Sequence, residues 1–193
     1  MEEDYYLTLI NMVKTPEKKI DIPESVSLEI DARTVKVSGP AGENVLTIRN
    51  AVIGIKKENS SVVLFSKGDF TKREKRLINT NAAHIRNMIQ GSLKPYEYKL
   101  KICSGHFPMS VSLEKDNIIV KNFLGEKIAR KAKVVKGSTV TIKGDEITVT
   151  SVNKEIAGQT AANIEQCTRI TNKDRRVFQD GVYIVSKGGK SVV

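Results

Sequence analysis

Two cysteines and two histidines are the first residues to weigh, because together they make a complete Cys₂His₂ inventory for tetrahedral zinc. Only Cys103 and His106 have ligand-like spacing, however, whereas zinc modules bring two close pairs; His84 and Cys167 stand apart. That spacing argues against a metal centre. The sequence GGKS at 188–191 looks like the end of a phosphate-binding loop, but the pattern needs a glycine where this chain has Ile184. Asn59-Ser60-Ser61 fits a glycosylation acceptor, yet the N-terminal MEEDYYLTLINMVKTPEKK lacks the basic start of a secretory signal, so a polar loop is expected. No Ser/His/Asp or Cys/His arrangement has a nucleophile context. No catalytic residue, metal site, cofactor or small-molecule substrate is therefore assigned, and an enzyme is the weakest class.

The remaining chemistry is cationic. The chain carries 32 Lys and Arg against 22 Asp and Glu, a net charge of +10 and a pI near 9.6. The excess is uneven: residues 1–99 hold 16 basic and 13 acidic side chains, residues 100–193 hold 16 and 9. Such an excess points either to a polyanionic partner or to a solvated lysine surface. Two stretches concentrate it. KNFLGEKIARKAKVVK (121–136) presents Lys121, Lys127, Arg130, Lys131, Lys133 and Lys136 against Glu126 alone. RITNKDRRVFQDGVYIVSKGGK (169–190) presents Arg169, Lys173, Arg175, Arg176, Lys187 and Lys190 against Asp174 and Asp180. In the second stretch Phe178, Gly181, Val182 and Tyr183 are placed to anchor the segment while its arginines face outward. The guanidinium fork suits phosphate oxygens, which ranks Arg175 and Arg176 above any single lysine. Aromatics are only 5% with no Trp, which disfavours base stacking as the main recognition mode.

The elements that must position these cations come in two copies. FPMSVSLEKD (107–116) repeats seven of the ten residues of IPESVSLEID (22–31). The echo continues: Val35 pairs with Ile118, Val37 with Val120 and Gly42-Glu43 with Gly125-Glu126 at an offset of 83. Ala82-Ala83 pairs with Ala161-Ala162, and Ile85 with Ile164, at an offset of 79. Val26, Leu28 and Ile30 alternate with polar residues, as do Val35 and Val37, which predicts half-buried strands; Val62–Phe65 reads as a more buried one. TVTI (139–142) and ITVT (147–150) flank a turn and predict a hairpin. Ile78, Ala82, Ile85 and Ile89 recur on one helical face that Gly91 is expected to cap, and Ala157, Ala161 and Ile164 mark a second helix over about 154–168.

The fold class expected is α+β: two duplicated domains, 20–95 and 100–185, each a short antiparallel β-sheet packed against one α-helix. An N-terminal extension (1–19) and a basic, flexible tail (186–193) flank them. Hydrophobic residues make up 39%, and no run approaches the roughly 18 apolar residues of a membrane span. Two cysteines in separate halves make no disulfide framework, so a reduced intracellular protein is expected.

The run QCTRITNKDRRVFQDGVYIVSK (166–187) resembles the universal large-subunit ribosomal protein six family in its archaeal and eukaryotic branch. The matching positions are Gln166, Ile170, Lys173, Arg176, Phe178, Asp180, Gly181, Val182, Tyr183, Ile184 and Lys187. NFLGEK (122–127), HIRNMIQG (84–91) and HFP (106–108) are also similar to that family, and the likeness covers about residues 20–188. It implies two α+β domains related by duplication and a structural, non-catalytic role. It also implies binding to large-subunit ribosomal RNA near the sarcin–ricin loop and stalk base, beside neighbouring ribosomal proteins, in cytoplasmic ribosomes. The second domain would make much of the RNA contact, with Lys173, Arg176 and Lys187 touching RNA or holding the contacting loop. The competing expectation is a non-ribosomal adaptor that binds protein partners through its sheet edges.

Overall fold

The computed structural model describes residues 17–68 and 71–192. Most of the acidic N-terminal extension read from the sequence, residues 1–16, lies outside the described residues. The chain divides into two compact units, Met1–Leu93 and Lys94–Val193.

In the first unit, β2 (Ser27–Asp31), β3 (Thr34–Gly39) and β4 (Gly42–Thr47) form an antiparallel meander. A second antiparallel sheet has the order β1–β6–β5, from β1 (Lys18–Asp21), β5 (Ile53–Glu58) and β6 (Ser61–Ser66). Helix α1 (Lys72–Leu93) packs on both. Each unit thus folds two small sheets around its helix where one was expected. Ile78, Ala82, Ile85 and Ile89 are buried against Val35, Val37, Val62 and Leu64, as their spacing predicts. Burying an aliphatic side chain of this size contributes about 1.5–3 kcal/mol.

The second unit repeats the plan. A meander of β8 (Ser110–Glu114), β9 (Asn117–Lys121) and β10 (Arg130–Lys133) accompanies a sheet in which β11 (Thr139–Lys143) and β12 (Glu146–Ser151) join β7 (Tyr96–Cys103). The order β11–β12–β7 matches β5–β6–β1 of the first unit. Helix α2 (Lys154–Cys167) buries Ala157, Ala161 and Ile164. The echo reaches the backbone: Ala32 and Lys115, 83 positions apart, both turn their hairpins with positive φ (48° and 53°). A non-glycine residue pays roughly 1–2 kcal/mol for that conformation, so its recurrence marks a shared turn.

Two local readings change, and one helix end comes into view. Gly91 does not cap α1; the helix runs on to Leu93 and buries both Gly91 and Ser92. The stop is Pro95, which excludes helical backbone at Lys94. Gly39 lies against this end, where an added Cβ would sit 2.7 Å from the Ser92 carbonyl oxygen, and the Ala41 N–H donates to that oxygen at 2.9 Å. The start of α1 is a capping box that the hydrophobic spacing did not reveal: Glu74 accepts from the Thr71 N–H, and Thr71 Oγ1 accepts from the Arg73 N–H. Finally, the segment read as a flexible basic tail is strand through Ser191. Lys187 ends β13 (Gly181–Lys187), Gly188 and Gly189 turn with φ of 58° and 83°, and Lys190–Ser191 form β14.

β13 is what the second copy adds. It pairs antiparallel with β7 on the edge opposite β12, where the first unit has no further strand among the described residues. The loop joining α2 to β13, residues 168–180, therefore belongs to the second unit alone.

Candidate nucleic-acid interface

The α2–β13 loop is exposed from Thr171 to Arg176, so its shape depends on how its ends are held. One fastening is Asp180, 3% exposed. Its carboxylate accepts the backbone N–H groups of Gly105 and His106 and stands 3.2 Å from His106 Nδ1. Burial pushes the Asp180 carboxyl upward, but the N–H donors and the imidazole together outweigh it and hold the group below its ordinary value. The His106 ring in turn lies 4.8 Å from that of Phe178, and Lys173 Nζ stands 4.8 Å from the centroid of the same Phe178 ring. Thr168 Oγ1 accepts the Val182 N–H at 2.9 Å, and Glu165 Oε1 accepts the Ile184 N–H at 3.1 Å. The loop is thus tied at Thr168, Phe178 and Asp180.

The second fastening is Arg130. In β10 the side chains alternate, and Arg130 shares a face with buried Ala132 while Lys131 and Lys133 point outward. The Arg130 guanidinium donates to both Glu126 oxygens (2.8 and 2.6 Å), to the Cys167 carbonyl (3.0 Å) and to the Arg169 carbonyl (3.1 Å). It also lies 4.2 Å over the Phe123 ring. NFLGEK makes this possible by a tight turn: Asn122, Leu124 and Gly125 have positive φ, Phe123 is buried, and Asn122 Nδ2 donates to the Pro108 carbonyl. The Arg130 bond holds the Glu126 carboxyl below its usual range, and burial pushes the Cys167 thiol up.

The eleven candidate cations therefore separate by occupation. Arg130 is committed to internal carbonyls and Glu126, Arg176 to Asp174 through a two-pronged bond (2.8–3.2 Å), and Lys173 to the Phe178 ring. Arg176, ranked with Arg175 from sequence, is thereby a loop-shaping residue as well as a cation. Lys121, Lys127, Lys131, Lys133, Arg169, Arg175, Lys187 and Lys190 are exposed and have no acidic partner among the described residues. Arg130 ties β10 to the end of α2 and to the residues just after it, and Arg169 and Arg175 line a common cleft. Lys187 and Lys190 do not join them. They face each other across the β13–β14 hairpin, about 20 Å along β13 from Gly181 at a strand rise near 3.3 Å per residue. Two lysines directly opposed in a hairpin repel unless an anion lies between them.

Sequence reasoning missed Asp180 as a fastening, with His106, Glu126, Glu165 and Thr168. The available signal was an acid inside a basic run, immediately before a glycine that opens an apolar strand. Among the described residues, no three His, Cys, Asp or Glu side chains gather as a metal site, and no helix is long and apolar enough to cross a membrane.

Residues 107–181 match the family described as Ribosomal protein L6. The chain is 45% identical over 170 residues to "Large ribosomal subunit protein uL6" of Methanobrevibacter smithii, covering 88% of this chain and 95% of that one. It is 47% identical to the protein of that name from Staphylothermus marinus (92% and 98% covered) and 46% identical to that of Methanococcus vannielii (90% and 94%). The match contains the NFLGEK turn, helix α2 and the fastened loop as far as Gly181. With an internal duplication, α+β units and identity sustained over nearly the whole length, this chain belongs to the L6 family of ribosomal proteins.

Proposed function

We propose that this chain is a structural, non-catalytic constituent of the large ribosomal subunit that binds ribosomal RNA chiefly through its second unit. The observation that carries this reading is the exposed set of cations without acidic partners on that unit, displayed by a loop and strand which Asp180 and Arg130 hold in shape. Fixed cations meet phosphates with less ordering cost than mobile ones. The family resemblance supports a place near the sarcin–ricin loop and the stalk base, beside neighbouring ribosomal proteins, supporting the factor-docking region of cytoplasmic ribosomes.

The mechanism makes a quantitative demand. Each phosphate neutralised releases counterions, so log affinity falls with log salt by about 0.7–0.9 per contact. Replacing Lys131, Lys133 and Arg175 together by alanine is expected to weaken binding to a large-subunit RNA transcript and to flatten that slope by roughly two. Filter binding between low and moderate salt measures it. An unchanged slope would remove these three residues from the interface.

A further inference from the structure

Tyr183 stands on the wall shared by two clefts. The larger, of about 670 Å³, is lined by Ser104, His106, Val177 and Gln179 together with Tyr183. The smaller, of about 310 Å³, is lined by Arg169, Arg175, Gln166 and Thr168, again with Tyr183. Their surfaces differ in kind. The larger offers exposed apolar and aromatic area in Val177 on the loop (59% exposed) and Tyr183 on β13 (37%). Around it stand short polar groups: the Ser104 hydroxyl, the Gln179 amide and the His106 ring, whose Nδ1 is engaged with Asp180 so that Nε2 remains for a ligand. The smaller cleft offers two guanidinium groups that form no ion pair among the described residues; Glu165, which also lines it, accepts the Ile184 N–H through Oε1.

We propose that these adjoining clefts form a site for one unpaired nucleotide of the bound RNA, with its base in the larger cleft against Tyr183 and Val177 and its phosphate against Arg169 and Arg175. The assignment rests on the RNA-binding reading above and extends it from phosphate contact to a base contact. The volume of the larger cleft is that of a small-molecule pocket, ample for a purine or pyrimidine. An apolar wall beside a cationic one is the complement of a nucleotide, which carries a flat π-face and an anion at fixed separation. Tyr183 is held for this role: its hydroxyl donates to the Asp180 carbonyl at 3.4 Å, and its strand is paired to β7. The fastening by Asp180 therefore fixes both walls of the larger cleft, through His106 on one side and the backbone before Gly181 on the other.

The test uses the full chain and a large-subunit ribosomal RNA transcript, with affinity read across a salt series. Tyr183→Ala is expected to weaken binding roughly tenfold while leaving the salt slope unchanged, because a stacked base carries no counterion. Tyr183→Phe keeps the ring but loses the bond to the Asp180 carbonyl, and is expected to recover most of the affinity that Tyr183→Ala loses. Val177→Lys adds a cation, which would tighten purely electrostatic binding, yet here it is expected to weaken it by filling the base cleft. Unchanged affinity in Tyr183→Ala, a flattened slope in that variant, or tighter binding by Val177→Lys would overturn the nucleotide site. Salt-independent or absent binding by the parent protein would instead overturn the RNA-binding reading on which the site rests.

Discussion

Replacing Asp180 with alanine is expected to destabilise the second unit by about 2–4 kcal/mol, because a buried carboxylate leaves and two backbone N–H groups lose their acceptor. For a unit of roughly 100 residues, each kcal/mol moves the thermal midpoint by about 4–8 °C, so a fall of 10 °C or more is expected by calorimetry. Asp180→Asn preserves shape and one oxygen but not the charge, and should lie between the two. The sign of the pH dependence follows from the depressed carboxyl. A group whose folded value lies below its unfolded value near 4 contributes fully above that pH and loses its contribution as pH falls through the folded value. The parent protein should therefore lose stability in acid below about pH 4, and Asp180→Asn should lose less over the same interval. Because the carboxylate also sets the loop, RNA affinity is expected to fall with stability in Asp180→Ala.

Replacing Arg130 with alanine is expected to cost about 2–3 kcal/mol, as charge-assisted bonds to Glu126, to the Cys167 carbonyl at the end of α2 and to the Arg169 carbonyl beyond it are lost together. Arg130→Lys should recover little of this, since one ammonium cannot reproduce a fork that meets Glu126, Cys167 and Arg169 at once. The contrast with a phosphate contact is direct. If Arg130 served the RNA, lysine would restore affinity without restoring stability, and alanine would flatten the salt slope. The geometry predicts the reverse: affinity tracks the thermal midpoint across all three proteins, and the slope stays put. Urea titration beside filter binding separates the outcomes.

The different fates of neighbouring cations explain what could be read from sequence. Val35, Val37, Ile118 and Val120 were legible as strand residues because period two and the repeat agree, and all four are fully buried. Ile78 through Ile89 were legible for the same reason at helical spacing. The hairpin at 139–150 was announced by its turn. The 166–187 motif pointed to the family to which the chain belongs. Arg130 was not legible as an internal residue: RKAK has one apolar residue in four, too little alternation to say which cations point inward. Its partners, Cys167 and Arg169, are 37 and 39 residues away and are backbone carbonyls, which leave no trace in side-chain pattern. Arg176 looked equivalent to Arg175 because composition cannot show that a loop curls Asp174 back onto one of two adjacent arginines. Gly91 looked like a cap because glycine is common there, whereas its burial inside α1 depends on packing that becomes visible only with the fold. In each case a run of like charges or a punctuating glycine marked a stretch of chain, and the third dimension decided what the individual residue does.

If fixed cations of the second unit hold this chain in the large ribosomal subunit, as proposed, its sedimentation must depend on salt. Sucrose-gradient sedimentation of a cell extract, probed for the endogenous protein at low and at high salt, tests it most directly. The protein is expected in the large-subunit and intact-ribosome fractions at low salt, with release as salt rises. Recovery only in ribosome-free fractions at low salt would contradict it.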